Sequence, residues 1–328
     1  MDKDKSRVLY LDNLCGLLII NMVFFVHVRM NAGVTYGIIP FINRLFCFFM
    51  PWFFYKSGMF YRDEGWKHRL GKDFKSLLVP YFYFTLFGWL VYLFSSLMSG
   101  KTSLDYLFIE PVREIFIQEA TVWNGALWFL PSLYIVKWLA CVLFTRINVT
   151  VVSIAALALA SLMHYTGFNY PFYLGNIFLG LFFYSLGYLM KKAQFSLWSF
   201  IPALMIYVVS MAVPIITNYF DFRYNTVDEA DNYFLVLLYS VSGIIAFNYL
   251  FNKLADREIP VLSGIGRNSV VILCVHYPVI KFLTGTLGRI HPFTPVQTWV
   301  IVSLLLMPVL ILSVWFVQKK AGFLIGNK

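Results

Sequence analysis

The chain has 328 residues, of which 60% are hydrophobic and 13% charged. This balance excludes a disordered chain, and it stands far from the roughly 45–50% apolar and 25% charged make-up of soluble globular proteins. The net charge of +10 says nothing about nucleic acid until its positions are known.

A membrane span takes about 20 residues, so the length suits about ten spans and no large extramembrane domain. Hydropathy places them at 14–30, 38–61, 77–98, 126–145, 149–166, 172–190, 197–217, 233–251, 269–287 and 296–317, within a single domain over 1–328. The expected fold class is an all-α integral membrane protein of about ten transmembrane helices. The first span follows the basic segment Met1–Arg7 without a small-residue cleavage site, so it reads as a retained helix rather than a signal peptide. Cys15, Cys47, Cys141 and Cys274 fall in apolar stretches without a CxxC pair, so neither a disulfide framework nor a metal site is expected.

Ionisable groups within spans cost about 2.5–3.5 kcal/mol on insertion scales, which makes each a functional candidate. His27 lies 13 residues beyond Leu14, about 20 Å along the helix, in the outer part of the first span. An imidazole there can take a hydroxyl proton and return it; a histidine bonded to a backbone carbonyl is the plainer reading of the residue type alone. Arg44, at a comparable depth in the second span, suits an anionic group or a developing oxyanion, or else snorkels to the outer headgroups. Lys56, near the inner end of that span, reads as snorkelling. Between them, Met50-Pro51 frees a backbone carbonyl and kinks the helix.

The inner loop Arg62–Ser76 carries Arg62, Lys67, His68, Arg69, Lys72 and Lys75. Such cations suit the phosphates of a nucleotide-bearing donor such as coenzyme A, and they also serve simply as a topology signal. The outer loop Ser99–Gly125 holds Asp105, Glu110, Glu114 and Glu119, and a second outer loop, Tyr219–Asn232, holds Asp221, Arg223, Asp228, Glu229 and Asp231. Before the ninth span, Gly264-Ile265-Gly266-Arg267-Asn268-Ser269 reads as a glycine turn with Asn268 or Ser269 as helix N-cap, more simply than as a phosphate loop. His276 follows one to two turns into that span, toward the inside, as a second-site ligand or a packed histidine.

With the N-terminus cytoplasmic, the inside segments hold 17 Lys and Arg and the outside segments 5. The positive-inside rule then makes both termini cytoplasmic, and assigns the net charge to topology and membrane lipid rather than nucleic acid.

Six segments, in order along nearly the whole chain, resemble the membrane-integral acyltransferase-three family of O-antigen acetylases, fucose acetylases and glucan succinyltransferases. They are YLDNLCGLLIINMVFFVH (Tyr10–His27), FFMPWFFYKSGMF (Phe48–Phe60), KSLLVPYFYF (Lys75–Phe84), ALWFLPSLYIV (Ala126–Val136), FFYSLGYLMKK (Phe182–Lys192) and IGRNSVVILCVHYPVI (Ile265–Ile280). The resemblance implies a multi-pass protein of the bacterial cytoplasmic (inner) membrane that moves an acyl group, acetyl first, from cytosolic acyl-CoA to a hydroxyl of a cell-surface or lipid-linked glycan, without a metal. His27 matches the family's first-span histidine, held to be the catalytic base. The basic inner loop, with Arg62, Lys67, Arg69, Lys72 and Lys75, matches the donor region. Asn268, Ser269 and His276 match a GxNS…H signature, and Trp128 of the fourth segment is a substrate or structural candidate.

Family members usually carry Arg or Lys before the glycine, eleven residues ahead of the histidine. Here Cys15 stands there, neutral and twelve residues from His27. A π-bulge would absorb the extra residue without restoring the charge. Many relatives also have FHMP where this chain has Phe49-Met50-Pro51.

The expected mechanism has His27 accept the hydroxyl proton, Arg44 offset the tetrahedral charge and an outer-loop carboxylate (Glu110, Glu114 or Glu119) orient the imidazole. Arg44 or Arg29 is expected to supply the charge missing at Cys15. The rival readings are a transporter or flippase for a glycan or small anion, and a degenerate family member without activity.

Overall fold

The computed structural model describes residues 8–63, 65–98, 100, 103–117, 124–168, 174–191, 196–212, 220–227, 232–255 and 257–326. In chain order its helices are α1 (Leu9–Ala32), α2 (Ile38–Met59), α3 (Lys67–Phe94), α4 (Glu110–Ile117), α5 (Phe129–Leu143), α6 (Val149–Thr166), α7 (Gly175–Met190), α8 (Leu197–Met211), α9 (Tyr233–Leu254), α10 (Pro260–Arg267), α11 (Ser269–Ile290) and α12 (Pro295–Lys320). A two-stranded hairpin, β1 (Phe220–Asp221) with β2 (Thr226–Val227), lies between α8 and α9. Among the described residues seven helices, α1, α2, α3, α6, α9, α11 and α12, are long and apolar enough to cross a membrane. The apolar helices α5, α7 and α8 are shorter. The chain is thus an all-α membrane protein. Glu119, Asp228, Glu229 and Asp231 lie outside the described residues.

Three departures from the hydropathy reading have local causes. Helix α1 begins at Leu9 rather than at Leu14, because its early polar residues have partners. Asn13 is buried and donates to the carbonyls of Ala255 and Arg257, while Asp12 pairs with Lys56 and Arg267. The inner loop is largely helical, running from Trp66 into α3 after Gly65 at φ +78°. Asp73 on that stretch takes ion pairs from Arg69 and Lys137, which holds it against α5. Finally, Gly264 and Gly266 form no turn. They lie within α10, and Asn268 does not cap α11 with its side chain. Its amide donates to the carbonyl of Gly264, and its oxygen accepts from Gln318.

The kink expected at Met50-Pro51 appears just before it, as a turn at Phe46–Phe48 that divides α2. Pro51 then occupies the first turn of the second half, where its missing N–H costs no helical bond. The carbonyls of Arg44 and Leu45 at the break accept the hydroxyls of Tyr239 and Tyr207, so the irregular backbone is satisfied inside protein.

Small residues bring helices together where lipid supplies no hydrophobic drive between them. A Cβ on Gly16 of α1 would lie 2.0 Å from the carbonyl oxygen of Leu262 on α10, and one on Gly266 would lie 2.1 Å from that of Asp12. These contacts seat α10 at the level of the second turn of α1, so α11, which follows it directly, starts well beyond the end of the bundle where α1 begins. Helix α7 packs on α2, α5 and α6, again through glycines facing Tyr184 and Tyr55.

Candidate active site

Residues Asn21–Val28 of α1 wind as a π-helix, a bulge of the kind that absorbs the extra residue between Cys15 and His27. Cys15 itself is buried with its Sγ 3.7 Å from the carbonyl of Gly266. His27 lies on the π-helical stretch. Its Nδ1 stands 2.6 Å from Nε2 of His276 on α11, with the rings stacked at a centroid distance of 4.9 Å and 16° between planes. His276 is fully buried, and its own Nδ1 lies 2.8 Å from the carbonyl oxygen of Ile272. A carbonyl only accepts, so Nδ1 of His276 carries a proton, and in the neutral ring its Nε2 is then an acceptor. His27 therefore donates from Nδ1 and keeps a lone pair on Nε2. The pair fixes the tautomer that a general base needs.

His27 forms part of the wall of a cavity of about 210 Å³ enclosed by α1, α2, α5, α11 and the hairpin. Trp128, Phe129, Phe222 and Tyr277 line it with aromatic surface, and Arg29, Asn31, Asn43, Asp221 and Arg223 with polar groups. Phe222 and Asn225 help anchor the hairpin, and Asn176 donates to the carbonyl of Arg223. Phe222 is buried and stacks on Phe54 with ring centroids 5.1 Å apart. Asn225, left-handed at φ 54°, donates to the carbonyl of Ala160 and accepts from the Tyr233 hydroxyl. Asn is among the few residues that visit this conformation readily.

The catalytic residues expected from sequence separate here. His27 and Trp128 share the cavity. Arg44 does not line it: its guanidinium turns to α8 and donates to the carbonyl of Met211. Arg29 does line it, with Nε and Nη1 held by the carbonyls of Phe25 and Val34. The imidazole of His27 is held by His276, and among the described residues no carboxylate bonds to it. Glu110 and Glu114 stand on α4 and do not line the cavity. Burial and the neighbouring Glu110 push the Glu114 carboxyl up, while Lys281 and Arg223 draw it back. Ser269 lines a narrow space beneath the cavity, and Asn268 borders an apolar groove between α1, α10, α11 and α12.

A second cavity, of about 340 Å³, is lined by Phe60, Arg62, Arg69, Lys72, Asp73 and Lys137. Four cations surround one carboxylate. Arg69 is nearly buried: it lies over the Tyr61 ring, donates to the Tyr184 hydroxyl and to the carbonyl of Arg62, and pairs with Asp73 at 3.5 Å. Burial pushes the Tyr61 hydroxyl up to about 12, so it stays protonated beside these charges. Lys67 and Lys75 are exposed and lie outside this wall. Lys137, which the sequence places in an apolar span, belongs to it.

A family model described as an acyltransferase domain matches residues 8–318. The chain belongs to the acyltransferase-three family. No curated protein and no solved structure matches it. Within the acyltransferase-three frame, the first-span histidine and the histidine of the GxNS…H segment are one hydrogen-bonded unit here. Sequence reading held both residues without joining them. It missed Asn31, Asn43, Phe222 and Tyr277 as cavity walls, although Asn43 within a span carried the signal of a costly intramembrane polar group.

Proposed function

We propose that this acyltransferase moves an acyl group, acetyl foremost, from acyl-CoA held on the cytoplasmic side to a hydroxyl of a cell-surface or lipid-linked glycan. The reading takes the protein to be a multi-pass component of the bacterial cytoplasmic membrane with both termini inside. The observation that carries it is the His27–His276 pair, which leaves a bare imidazole nitrogen on a residue lining an aromatic and polar cavity. Aromatic faces suit the C–H faces of a sugar ring, and Asn and Asp side chains suit its hydroxyls.

The donor fits the four-cation cavity through its phosphates, with Arg62, Arg69, Lys72 and Lys137 facing them. The second half of α2 and its C-cap residue Phe60 span the distance between the two sites. Met50 borders the outer cavity and Phe60 the inner one. Ten residues of helix put them about 15 Å apart, close to the reach of a pantetheine arm.

In the transfer, His27 Nε2 takes the hydroxyl proton as the oxygen attacks the thioester carbonyl carbon. The C–S bond then breaks, and the sulfur leaves with the electron pair and receives the proton back from Nε2. Arg29 and Arg223 supply positive potential at the cavity wall for the tetrahedral oxyanion. The test is thiol release from acetyl-CoA by protein in lipid nanodiscs, with and without an oligosaccharide pool released from the cell surface. Acceptor-dependent release, with a gain of one acetyl mass on the glycan, supports the proposal. Movement of glycan without thiol release supports the transporter reading instead.

A further inference from the structure

The outer cavity borders a much smaller space. This space, of only about 50 Å³, is lined by Ile19, Met22, Met50, Phe53, Phe129, Ser269, Val270 and Leu273. Met22, Met50, Phe129 and Leu273 belong to both walls, so the two spaces adjoin. At about 10–15 Å³ per water-sized group, this neck takes roughly three to five such groups. Ser269 is the sole polar side chain among those eight.

From this geometry we infer that the neck is an acyl-size filter: Met22 and Met50 restrict the donor to short, uncharged acyl groups of two to four carbons. The inference rests on the acyltransferase reading above. A donor held by its phosphates at the inner cavity points its acyl end toward His27, so the acyl group meets the neck first. Phe53 of the neck wall stands seven residues before Phe60 of the inner cavity, which caps the end of α2, so this stretch of α2 spans the distance between the two spaces. A longer chain must displace Met22, which is itself buried, or Met50. A terminal carboxylate must cross walls of thioether, aromatic and aliphatic groups. The outer cavity adds a second limit, since a sugar ring held in about 210 Å³ leaves little room for a long acyl tail.

The experiment is a donor panel of acetyl-, propionyl-, butyryl-, hexanoyl- and succinyl-CoA, read by thiol release and by acceptor mass, on the wild-type protein and on Met50→Ala and Met22→Ala. The wild type is expected to use the first three and to lose about tenfold per methylene beyond the fit. Succinyl-CoA is expected to fall at least tenfold below acetyl-CoA. In at least one alanine variant the hexanoyl-to-acetyl ratio rises about tenfold or more. Equal wild-type rates with hexanoyl- or succinyl-CoA, or a ratio unmoved in both variants, would overturn the filter and leave acyl transfer standing. Absence of transfer from every donor would overturn both.

Discussion

His276 meets His27 from a helix that starts partway up the bundle. It is seven residues from the start of α11, whereas His27 is eighteen residues from the start of α1, yet their nitrogens stand 2.6 Å apart. The levels agree because α10, seated against Asp12 and Gly16, raises the start of α11. The π-helical stretch of α1 then turns His27 into contact.

His276→Ala removes the acceptor that orients His27. Expected is a fall in kcat of a few-fold to about tenfold, the worth of one buried hydrogen bond, with KM for the donor little changed. His276→Gln, whose amide oxygen can accept from Nδ1, restores part of the loss. An unchanged kcat in the alanine variant would show that the pairing does not serve the reaction.

At the four-cation cavity the proposed donor binding can be separated from stability. Arg62 and Lys72 are exposed, and their joint replacement by alanine is expected to raise the KM for acyl-CoA about tenfold, more at low salt than at high, with little change in Tm. Asp73→Ala is a different case. It strips Arg69 and Lys137 of their shared carboxylate, and leaving a buried charge unpaired costs about 3–5 kcal/mol. Thermal melts in detergent should show a large loss for Asp73→Ala and almost none for the double variant.

Much of this was legible in the sequence, for physical reasons that differ by residue. The apolar runs announce themselves because the bilayer demands them, and His27, as a costly intramembrane group, stood out on residue type. Arg44 carried the same signal and is turned away to a backbone carbonyl. Depth in a span gives height but not direction, since direction depends on how α2 breaks at Phe46–Phe48. The partner of His27 lay 249 residues away in a segment already singled out, but no local pattern tells which helix faces which. Lys137 was hidden for the same reason: its partner Asp73 sits in a stretch that reads as a loop and folds as helix.

The approach of α1 to α10 is set by Gly16 and Gly266. Gly16→Ala places a methyl group against the Leu262 carbonyl and must push the helices apart. Overpacking of this kind costs about 1–3 kcal/mol. Because α10 also sets the height of His276, activity should fall along with Tm, and more steeply. A variant with full activity and an unshifted melt would contradict the packing account.

The most direct test of the central claim is the rate of acceptor-dependent thiol release from acetyl-CoA by wild-type and His27→Ala protein in nanodiscs, with folding checked by the melt. The account predicts a loss of about 10²–10⁴-fold with an intact melt, and a wild-type rate that rises with pH to a plateau as the base loses its proton. A folded His27→Ala protein that turns over at the wild-type rate would contradict it.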